Sequence, residues 1–440
     1  MRSTRKRRKS SRTWLTVLSS IAVTCLLIGG GLFVYAYVQD GQQQNSEPPA
    51  SENDNDNGNL NDSGDSGDNH VVNNDNNDPE NNTDTEPDAE SYTDIRIAAA
   101  GDIMFHDTQL ESALDEESGA YDFNPFFEDV QSIFSEADLA MANFETTTAG
   151  SAREYTGYPI FNSPDETIDA VKNAGIDVLT HANNHSLDTG SDGLKRTAKM
   201  IREKGLSSAG SYVEKPDSRV LIEDVKGIKV AILAYTESTN GLGSEYPDEE
   251  LNAMLNLMRK DIISEDIQEA KDEDADIIIA SMHWGIEYDD DPNETQIDFA
   301  QFMAEEGVDI ILGSHPHVIQ KSELIETDDQ QTFVIYSMGN FISNQRQETL
   351  DDERTEDGII VNIDIQKNDE TGETNIKNID YVPTWVYRNK EDGDSKYTYR
   401  ILPIENFLDA TDISKSFIER MEHSLETTIS KMEDIPFEAQ

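Results

Sequence analysis

The chain has 440 residues, of which 89 are Asp or Glu and 34 are Lys or Arg, and its formal net charge is −55. So acidic a protein is not suited to nucleic acid, because phosphate binding needs clustered basic side chains. Its one cysteine, Cys25, cannot form a disulfide within the chain, and a thiolate metal site is excluded. Any metal ion must therefore be bound by His, Asp, Glu and Asn, which suits Mn, Zn, Fe or Mg.

The N-terminus has the pattern of a membrane anchor. Seven of the first twelve residues are Lys or Arg, and Trp14–Val38 contains no charged side chain. Twenty-five apolar residues are long enough to cross a hydrocarbon layer of about 30 Å. We predict a basic cytoplasmic tail (1–13), a transmembrane helix (14–38) and a single-pass protein of the cell membrane with its C-terminal domain outside the cell. A cleaved signal peptide is the alternative.

Residues 39–93 are predicted to be a disordered acidic linker. Asn, Asp, Gly, Ser, Glu and Pro dominate this segment, and residues 41–93 contain no Lys or Arg. Such a composition buries too little apolar surface to offset the loss of chain entropy.

From Ile95 onward, short apolar runs alternate with amphipathic segments, which predicts an α/β domain over residues 94–395. The predicted strands are Ile95–Ala100, Leu139–Ala142, Val178–Thr180, Val230–Ala234, Ile277–Ala280, Val308–Leu312, Phe333–Tyr336 and Ile359–Ile365. The predicted helices are Asp165–Ala174, Gly193–Lys204, Leu251–Ala270 and Glu294–Glu306. Residues 396–440 are predicted to be a helical extension, with its helix at Thr411–Met432.

Six of the predicted strands are followed by residues that can bind metals. The segments are Gly101-Asp102, Asn143-Phe144-Glu145, His181–His185, Ser281–Gly285, Gly313–His317 and Ser337–Phe341. The carboxyl ends of parallel strands meet in one crevice, where ligands bind. Asp, Glu, Asn and His gathered there predict a divalent metal site.

The spacing of His315 and His317 has a local explanation. Because the residue before a proline favours extended backbone, the two imidazoles are predicted to point the same way.

Each of these residues also has a structural explanation. A histidine at a strand end is often only a hydrogen-bonding residue, Asp102 could cap a helix, and Asn183-Asn184 could form a turn. Trp284 and Tyr288 are simply explained as packing residues. It is the recurrence at six strand ends that favours a shared site.

The segments "AAAGDIMFH", "ANFETT", "ANNHSLDTG", "MHWGIEY", "GSHPHVIQ" and "YSMGNFIS" resemble the bacterial capsule synthesis (CapA, or poly-γ-glutamate biosynthesis) family. They cover about residues 95–345 in the order that the family has them. This family is similar in fold to the calcineurin-like metallophosphoesterases. The resemblance thus implies a four-layer αββα sandwich with a site for one or two divalent metals.

The resemblance also implies roles for individual residues. Asp102 and His317 would bind a first metal, Glu145 would bridge, and Asn184, His283 and His315 would bind a second. His185 would be the acid near the leaving group, so that His185, Asp102 and Glu145 form the catalytic set. The residues assigned to substrate binding are Asn143, Arg153, Asn183, Asp188, Trp284, Glu287 and Asn340. Met104 departs from the phosphoesterase pattern Asp-x-His, and His106 lies nearby.

Three functions follow as hypotheses. The first is a membrane-anchored protein of capsule biosynthesis that binds or processes nascent poly-γ-glutamate or a similar acidic polymer. The second is an extracellular metal-dependent hydrolase, a phosphoesterase or amidase, unrelated to capsule. The third is a non-catalytic scaffold of a membrane synthase complex.

Overall fold

The computed structural model describes residues 91–328 and 330–432. The predicted tail, transmembrane helix and nearly all of the predicted linker lie outside these residues. Within the described part, no helix is both long and apolar enough to span a membrane.

Two mixed sheets form the centre of the structure. Sheet I has the order β14-β13-β12-β1-β2-β3-β4, and β11 pairs with β1. Its strands are β1 Tyr92–Ile103, β2 Leu139–Phe144, β3 Val178–Thr180, β4 Ser207–Ala209, β11 Asn340–Ile342, β12 Asp357–Asn368, β13 Thr374–Asn389 and β14 Thr398–Pro403. Sheet II has the order β5-β6-β7-β8-β10-β9. Its strands are β5 Leu221–Val225, β6 Ile228–Thr236, β7 Ile277–His283, β8 Ile310–Ser314, β9 Ser322–Glu326 and β10 Gln331–Ile335.

The described part of the chain has nine helices, and most of them pack on the outer faces of the two sheets. Their bounds are α1 Asp107–Ala113, α2 Gln131–Ser135, α3 Glu166–Asn173, α4 Gly190–Glu203, α5 Asp248–Met254, α6 Lys260–Asp272, α7 Glu294–Glu305, α8 Gln347–Leu350 and α9 Lys415–Ile429. Alternate side chains of one strand point to opposite faces, so Ile97 packs between the sheets while Ala98 packs under α3 and α4. On sheet II, Ile279 likewise faces the inter-sheet core and Ile278 faces α6 and α7. The order helices–sheet–sheet–helices agrees with the α/β prediction.

Four aspartates fix the register of the parallel strands. Asp138, Asp177, Asp276 and Asp309 each stand directly before a strand, and each accepts a hydrogen bond from a backbone N–H near the start of the preceding parallel strand, at 2.7–3.0 Å. The backbone N–H of each aspartate returns a bond to the same neighbour strand. The strands are thereby aligned at their amino ends, which also aligns their carboxyl ends.

The predicted elements are present, with three differences. All eight predicted strands occur, although their ends shift by a few residues. The prediction of one helix over Leu251–Ala270 was wrong, because this segment forms two helices, α5 and α6. Between them, the Asn256 carbonyl accepts the N–H of Thr236, and the Thr236 carbonyl accepts the N–H of Met258. These two hydrogen bonds hold the chain extended between the helices. Sheet I also exceeds the predicted domain limits at both ends, since β1 begins at Tyr92 and β14 lies beyond residue 395.

Two glycines allow β11 to lie beside the end of β1. A Cβ at Gly101 would stand 2.1 Å from the carbonyl oxygen of Gly339, and Gly339 has a positive φ of 68°. The close approach places Asn340 level with Asp102 in the parallel pairing. Glycine is required here because any side chain would separate the two strands.

Candidate metal centre

Sheet I contributes two carboxylates from adjacent strands. Asp102 ends β1 and Glu145 follows β2, and both side chains are fully buried. Asn143 lies between them and donates from Nδ2 to Asp102 Oδ1 at 2.7 Å and to Glu145 Oε2 at 3.4 Å. The pairing of Asp102 with Asn143 in the β1–β2 ladder sets this arrangement.

The turn after β3 brings Asn183, Asn184 and His185 to the same edge. Asn183 Nδ2 donates to the Phe144 carbonyl at 2.9 Å and to Asn143 Oδ1 at 3.2 Å, which fixes the turn on the end of β2. Asn184 Oδ1 then lies 3.1 Å from His283 Nε2, on the opposite sheet. Asn183 is therefore a positioning group, because its amide hydrogens go to protein oxygens.

Sheet II contributes three imidazoles. His283 ends β7, and its Nε2 lies 3.5 Å from Glu145 Oε1. His315 and His317 follow β8; the His315 ring centroid is 4.8 Å from that of His283, and His317 Nε2 is 3.9 Å from Glu145 Oε1. The two sheets thus meet at Glu145.

His315 and His317 converge, but not through extended backbone. Their φ angles are +97° and +58°, in the left-handed region that side chains other than glycine rarely adopt. The prediction of an extended His315-Pro316-His317 was therefore wrong. Instead, the His315 N–H donates to Asp102 Oδ2 at 3.2 Å and the Pro316 carbonyl accepts from the Tyr288 N–H at 2.8 Å, which hold the turn. Strained backbone of this kind is concentrated at functional sites.

The donor atoms form two overlapping groups centred on Glu145. One ligand atom each from Glu145, His283 and His315 lie within 4.8 Å of one another, as do one each from Asp102, Glu145 and His317. Within the described part of the chain, Glu145 Oε1 and His315 Nδ1 are buried without a hydrogen-bond partner. A cation would offset the desolvation of this buried carboxylate oxygen, which faces imidazole nitrogens, so these residues fit one or two divalent metals.

Surrounding groups orient the imidazoles for metal binding. His317 Nδ1 lies 3.1 Å from both Asp102 Oδ2 and Asn340 Oδ1, which are acceptors, so Nδ1 carries the proton and Nε2 is the free ligand atom. His283 Nδ1 lies 3.1 Å from Ser314 Oγ and 3.3 Å from the Asn143 amide nitrogen, and its Nε2 faces Asn184 Oδ1. Such partners normally fix the tautomer of a metal-binding histidine. Asn340 was assigned to substrate binding, but its amide nitrogen donates to Gln345 and Thr355, so it orients His317 instead.

The electrostatics agree with a cation site. Burial, followed by the neighbouring Asp102 carboxylate, raises the pKa of Glu145 well above its ordinary value. Burial, followed by the neighbouring imidazoles, lowers the pKa of His283 well below its ordinary value and that of His315 to about 3. The histidines are therefore neutral at physiological pH, which is the form that binds metals.

His185 and Asp188 form a buried pair beside the donor groups. His185 Nδ1 lies 2.8 Å from Asp188 Oδ2, and its ring packs edge-on against Phe161 with centroids 4.7 Å apart. Asp188 also accepts the Phe161 N–H at 2.7 Å. Asp188, which we assigned to substrate binding, thus orients His185 and leaves His185 Nε2 free.

Of the residues assigned to substrate binding, two lie away from the donor groups and a third lies at the rim of the site. Trp284 is fully buried in the core under α6 and α7, and its indole N–H donates to the Tyr336 carbonyl, so its assignment to substrate binding was wrong. The reason is strand alternation: His283 faces the site, so Trp284 faces the other side of the sheet. Arg153 is exposed in the turn after β2 and contacts none of the donor residues within the described chain. Glu287 is exposed at the rim, where it groups with His315 and His317.

His106 does not take the place of the missing histidine at Met104. Its Nδ1 accepts the Asn344 N–H at 3.2 Å, and its ring packs on Phe161. It is absent from the donor groups found among the described residues.

Two residues at the site were not predicted as part of it. Phe161 packs on His185, and Tyr288 lies with its ring 6.2 Å from that of His317 while its hydroxyl accepts from Gln345. Tyr288 is part of "HWGIEY" and was seen only as a packing residue, whereas Phe161 is in a loop that carries no periodic signal.

Comparisons with known proteins identify the family of the chain. The model of the family "Bacterial capsule synthesis protein PGA_cap" matches residues 96–345, which include every donor residue above. The chain belongs to this family. It is 30% identical over 300 residues to the PGA biosynthesis protein CapA of Bacillus subtilis, a match that covers 67% of this chain and 74% of the relative. It is 34% identical over 211 residues to the capsule biosynthesis protein CapA of Bacillus anthracis, covering 47% and 48%.

Solved structures give more distant matches. The calcineurin-like phosphoesterase YfkN of Bacillus subtilis aligns with a TM-score of 0.39 and 15% identity, covering 77% of this chain and 99% of that one. The NAD nucleotidase NadN of Haemophilus influenzae aligns with a TM-score of 0.44 and 13% identity, covering 79% and 65%. At these scores the likeness supports no conclusion about activity or substrate.

Replacing a candidate ligand is predicted to weaken metal binding. His283→Ala and His315→Ala should each raise the dissociation constant for Mn²⁺ by about 10-fold or more, since losing even an outer partner of a metal ligand typically costs 10–100-fold. Calorimetric titration of the metal-free protein measures this. His70→Ala, in the acidic N-terminal segment, is the control and should bind like the unaltered chain. Unchanged affinity in both site variants would contradict the assignment.

Metal affinity is also predicted to depend on pH through Glu145. A protonated carboxyl cannot bind a cation, so affinity should rise as the pH is raised through the range in which Glu145, whose pKa is raised by burial, releases its proton to the solvent. The pKa values of His283 and His315 are lowered, so these residues add no proton release in this range. Titrations in buffers of different ionisation enthalpy count the released protons. Glu145→Gln should bind more weakly and lose this dependence, and an unchanged slope in that variant would refute the role of Glu145.

Proposed function

We propose that the chain is a metal-dependent hydrolase of capsule biosynthesis that processes a nascent acidic polymer of the poly-γ-glutamate type outside the cell. The observation that carries the proposal is the sharing of Glu145 between two donor groups, one with Asp102 and His317 and the other with His283 and His315. The family supplies the biological setting, because the two relatives above are named for PGA and capsule biosynthesis.

The residues of the two donor groups would hold the metals, and Asn184 would contribute its carbonyl oxygen near His283. A pair of divalent metals would supply Lewis acidity, which lowers the pKa of the water that attacks the bond and stabilises the charge that develops during its cleavage. The residues that would hold the metals are shielded from bulk solvent, since Asp102, Glu145 and His283 are buried. In a buried site these charges interact more strongly than they would in water.

His185 would protonate the leaving group. Its Nδ1 proton is held by Asp188, so that Nε2 points away from the carboxylate and is available to deliver a proton. Asp188 holds the orientation of the His185 ring through this bond, as the carboxylate does in other His–Asp pairs. The Phe161 ring fixes the plane of the imidazole and excludes water from one edge.

An acidic polymer would reach this site through cations. The protein itself is strongly acidic, and Glu287 stands at the rim of the site. A polyanion would be repelled by such a surface, so its carboxylates would be held by the metals, with the exposed Arg153 as a further cation outside the donor groups. Binding of the polymer is therefore expected to require the metal.

The anchoring of the domain remains part of the proposal. The basic residues Met1–Arg12 followed by the uncharged Trp14–Val38 support a cytoplasmic N-terminus and a single membrane span. The acidic segment 39–90 would then act as a tether, about 40 Å long on average as a flexible coil. Such a tether would let the domain work beside a membrane synthase that exports the polymer.

A non-catalytic scaffold is the second candidate. It is favoured by Asn143, whose amide nitrogen lies in the middle of the donor set and makes hydrogen bonds to Asp102 and Glu145. An amide at this point contributes no charge and donates to the carboxylates that would bind a first metal. A scaffold would retain a single metal or none, and would need no residue in the role of His185.

Loss of His185 is predicted to abolish turnover without loss of metal. His185→Ala should lower hydrolysis of poly-γ-glutamate, or of a generic phosphodiester, by about 10²–10⁴-fold, as expected for a general acid. Its affinity for Mn²⁺ should stay within about 3-fold of that of the unaltered chain, because His185 lies outside the donor groups. Chromatography of the polymer and release of the chromogenic product measure the two activities.

The pattern of activity separates the candidates. Turnover of the polymer supports the proposal, whereas turnover of the phosphodiester alone favours a hydrolase unrelated to capsule. Mn²⁺-loaded protein that cleaves neither substrate would refute hydrolysis and favour the scaffold. Lys415→Met, at an exposed lysine of α9, serves as the control for nonspecific loss of activity.

A further inference from the structure

The end of the C-terminal helix is bound to the loop that carries His317. Lys431, two residues beyond α9, donates from Nζ to the Ile319 carbonyl at 2.6 Å. The Lys431 carbonyl in turn accepts the N–H of Ser322 at 3.1 Å. Both ends of the segment 319–322 are thus held by one residue, and this segment follows the turn of His315 and His317 directly.

Lys431 also binds the loop that carries Tyr288. Its Nζ lies 2.6 Å from Asp290 Oδ1, which also accepts from Arg354 Nη1 at 3.0 Å. Arg354 Nη2 donates to the Tyr288 carbonyl at 3.0 Å. Gln320 Nε2 adds bonds to the carbonyls of Asp289 and Asp291, at 2.9 and 3.1 Å, so this loop and the histidine turn are tied together.

Arg420, on α9 itself, binds the 3₁₀ turn Glu353–Glu356. Its Nη2 donates to the Glu353 carbonyl at 2.5 Å and to Asp357 Oδ1 at 2.7 Å. The same turn presents the Thr355 carbonyl to Asn340 Nδ2 at 2.9 Å, and Asn340 Oδ1 lies 3.1 Å from His317 Nδ1. A continuous series of contacts therefore runs from the helix to the imidazole.

These charged contacts are separate from the packing that holds α9 on the domain. The helix is docked by an apolar cluster in which Met421 and Ile413 pack with Trp385 and Leu402 of sheet I. Arg420 and Lys431 lie on the side that lines a cavity of about 210 Å³ between the helix and the two loops. The helix can keep its place when one of these charges is removed.

We propose that Lys431 and Arg420 are positioning residues, which hold the turn of His315 and His317 and its neighbouring loop in the geometry that binds metal. The inference rests on the proposed metal centre. It adds that residues at the C-terminus, outside the part of the chain matched by the family model, set the metal affinity of that centre. The need for such support follows from the positive φ angles of His315 and His317, because a strained turn persists only when its surroundings hold it.

The test compares Mn²⁺ binding by full-length variants in detergent. Lys431→Met should raise the dissociation constant by about 10-fold, in the range typical of outer partners of a metal site, while Lys431→Arg keeps the charge and should restore most of the affinity. Asp290→Asn weakens the same ion pair from the loop side and should act in the same direction without altering α9. Lys415→Met, at an exposed lysine on the same helix whose ion pair is with Glu419, is the matched control and should have no effect.

A second measurement distinguishes positioning from general stability. The paramagnetic resonance spectrum of bound Mn²⁺ should change in Lys431→Met and Asp290→Asn but not in Lys415→Met, since only the first two alter the ligand geometry. Equal affinities and identical spectra in all variants would overturn the inference while leaving the metal centre intact. Failure of the unaltered chain to bind Mn²⁺ would overturn both.

Discussion

The burial of the Glu145 carboxylate is the constraint on which the rest of the structure depends. Its side chain has no exposure to water, it lies next to a second buried carboxylate, and Oε1 has no hydrogen-bond partner among the described residues. Burying a charge in this way costs several kcal/mol unless an opposite charge compensates it. The groups that face Oε1 are imidazoles, and burial lowers the pKa of His283 and of His315, so the compensation comes from a cation or from protonation of Glu145. The same burial raises the pKa of Glu145 and makes the site suited to divalent metals.

The site requires the carboxyl ends of neighbouring strands to stand level with one another. Hydrogen bonds at the amino ends of the same strands provide this alignment. Asp138 and Asp177 in sheet I, and Asp276 and Asp309 in sheet II, bind backbone N–H groups at the amino ends of neighbouring strands. Each such residue fixes the register of one parallel pair, and a slip of one residue would turn every side chain to the other face. Part of the acidity of this chain is thus structural rather than a property of its surface.

The sequence allowed the site to be predicted wherever a ligand follows directly on a buried strand. Apolar runs mark where strands end, and parallel strands place their ends together, so the convergence of Asp102, Glu145 and His283 could be predicted without a structure. The backbone of His315 could not, because its positive φ is imposed by contacts with Asp102 and Tyr288, which are distant in sequence. Trp284 was misassigned because it stands next to His283 in a sequence motif. In a strand, adjacent side chains point to opposite faces of the sheet, so only one of the two can face the site.

The helix boundaries and the supporting contacts were also beyond prediction. The break between α5 and α6 arises from pairing of Asn256 with the end of β6, and no periodic signal in the residues themselves marks it. In the same way, nothing in the sequence around Lys431 indicates that it binds the loops of the site.

Anomalous diffraction from crystals soaked in Mn²⁺ tests the central claim most directly. The account predicts peaks on both sides of the Glu145 carboxylate, about 4 Å apart, one bound by His283 and His315 and the other by Asp102 and His317. Density that places no metal within about 2.5 Å of Glu145, with the carboxyl group neutral and its hydrogen bonds satisfied by protein or water, would contradict it.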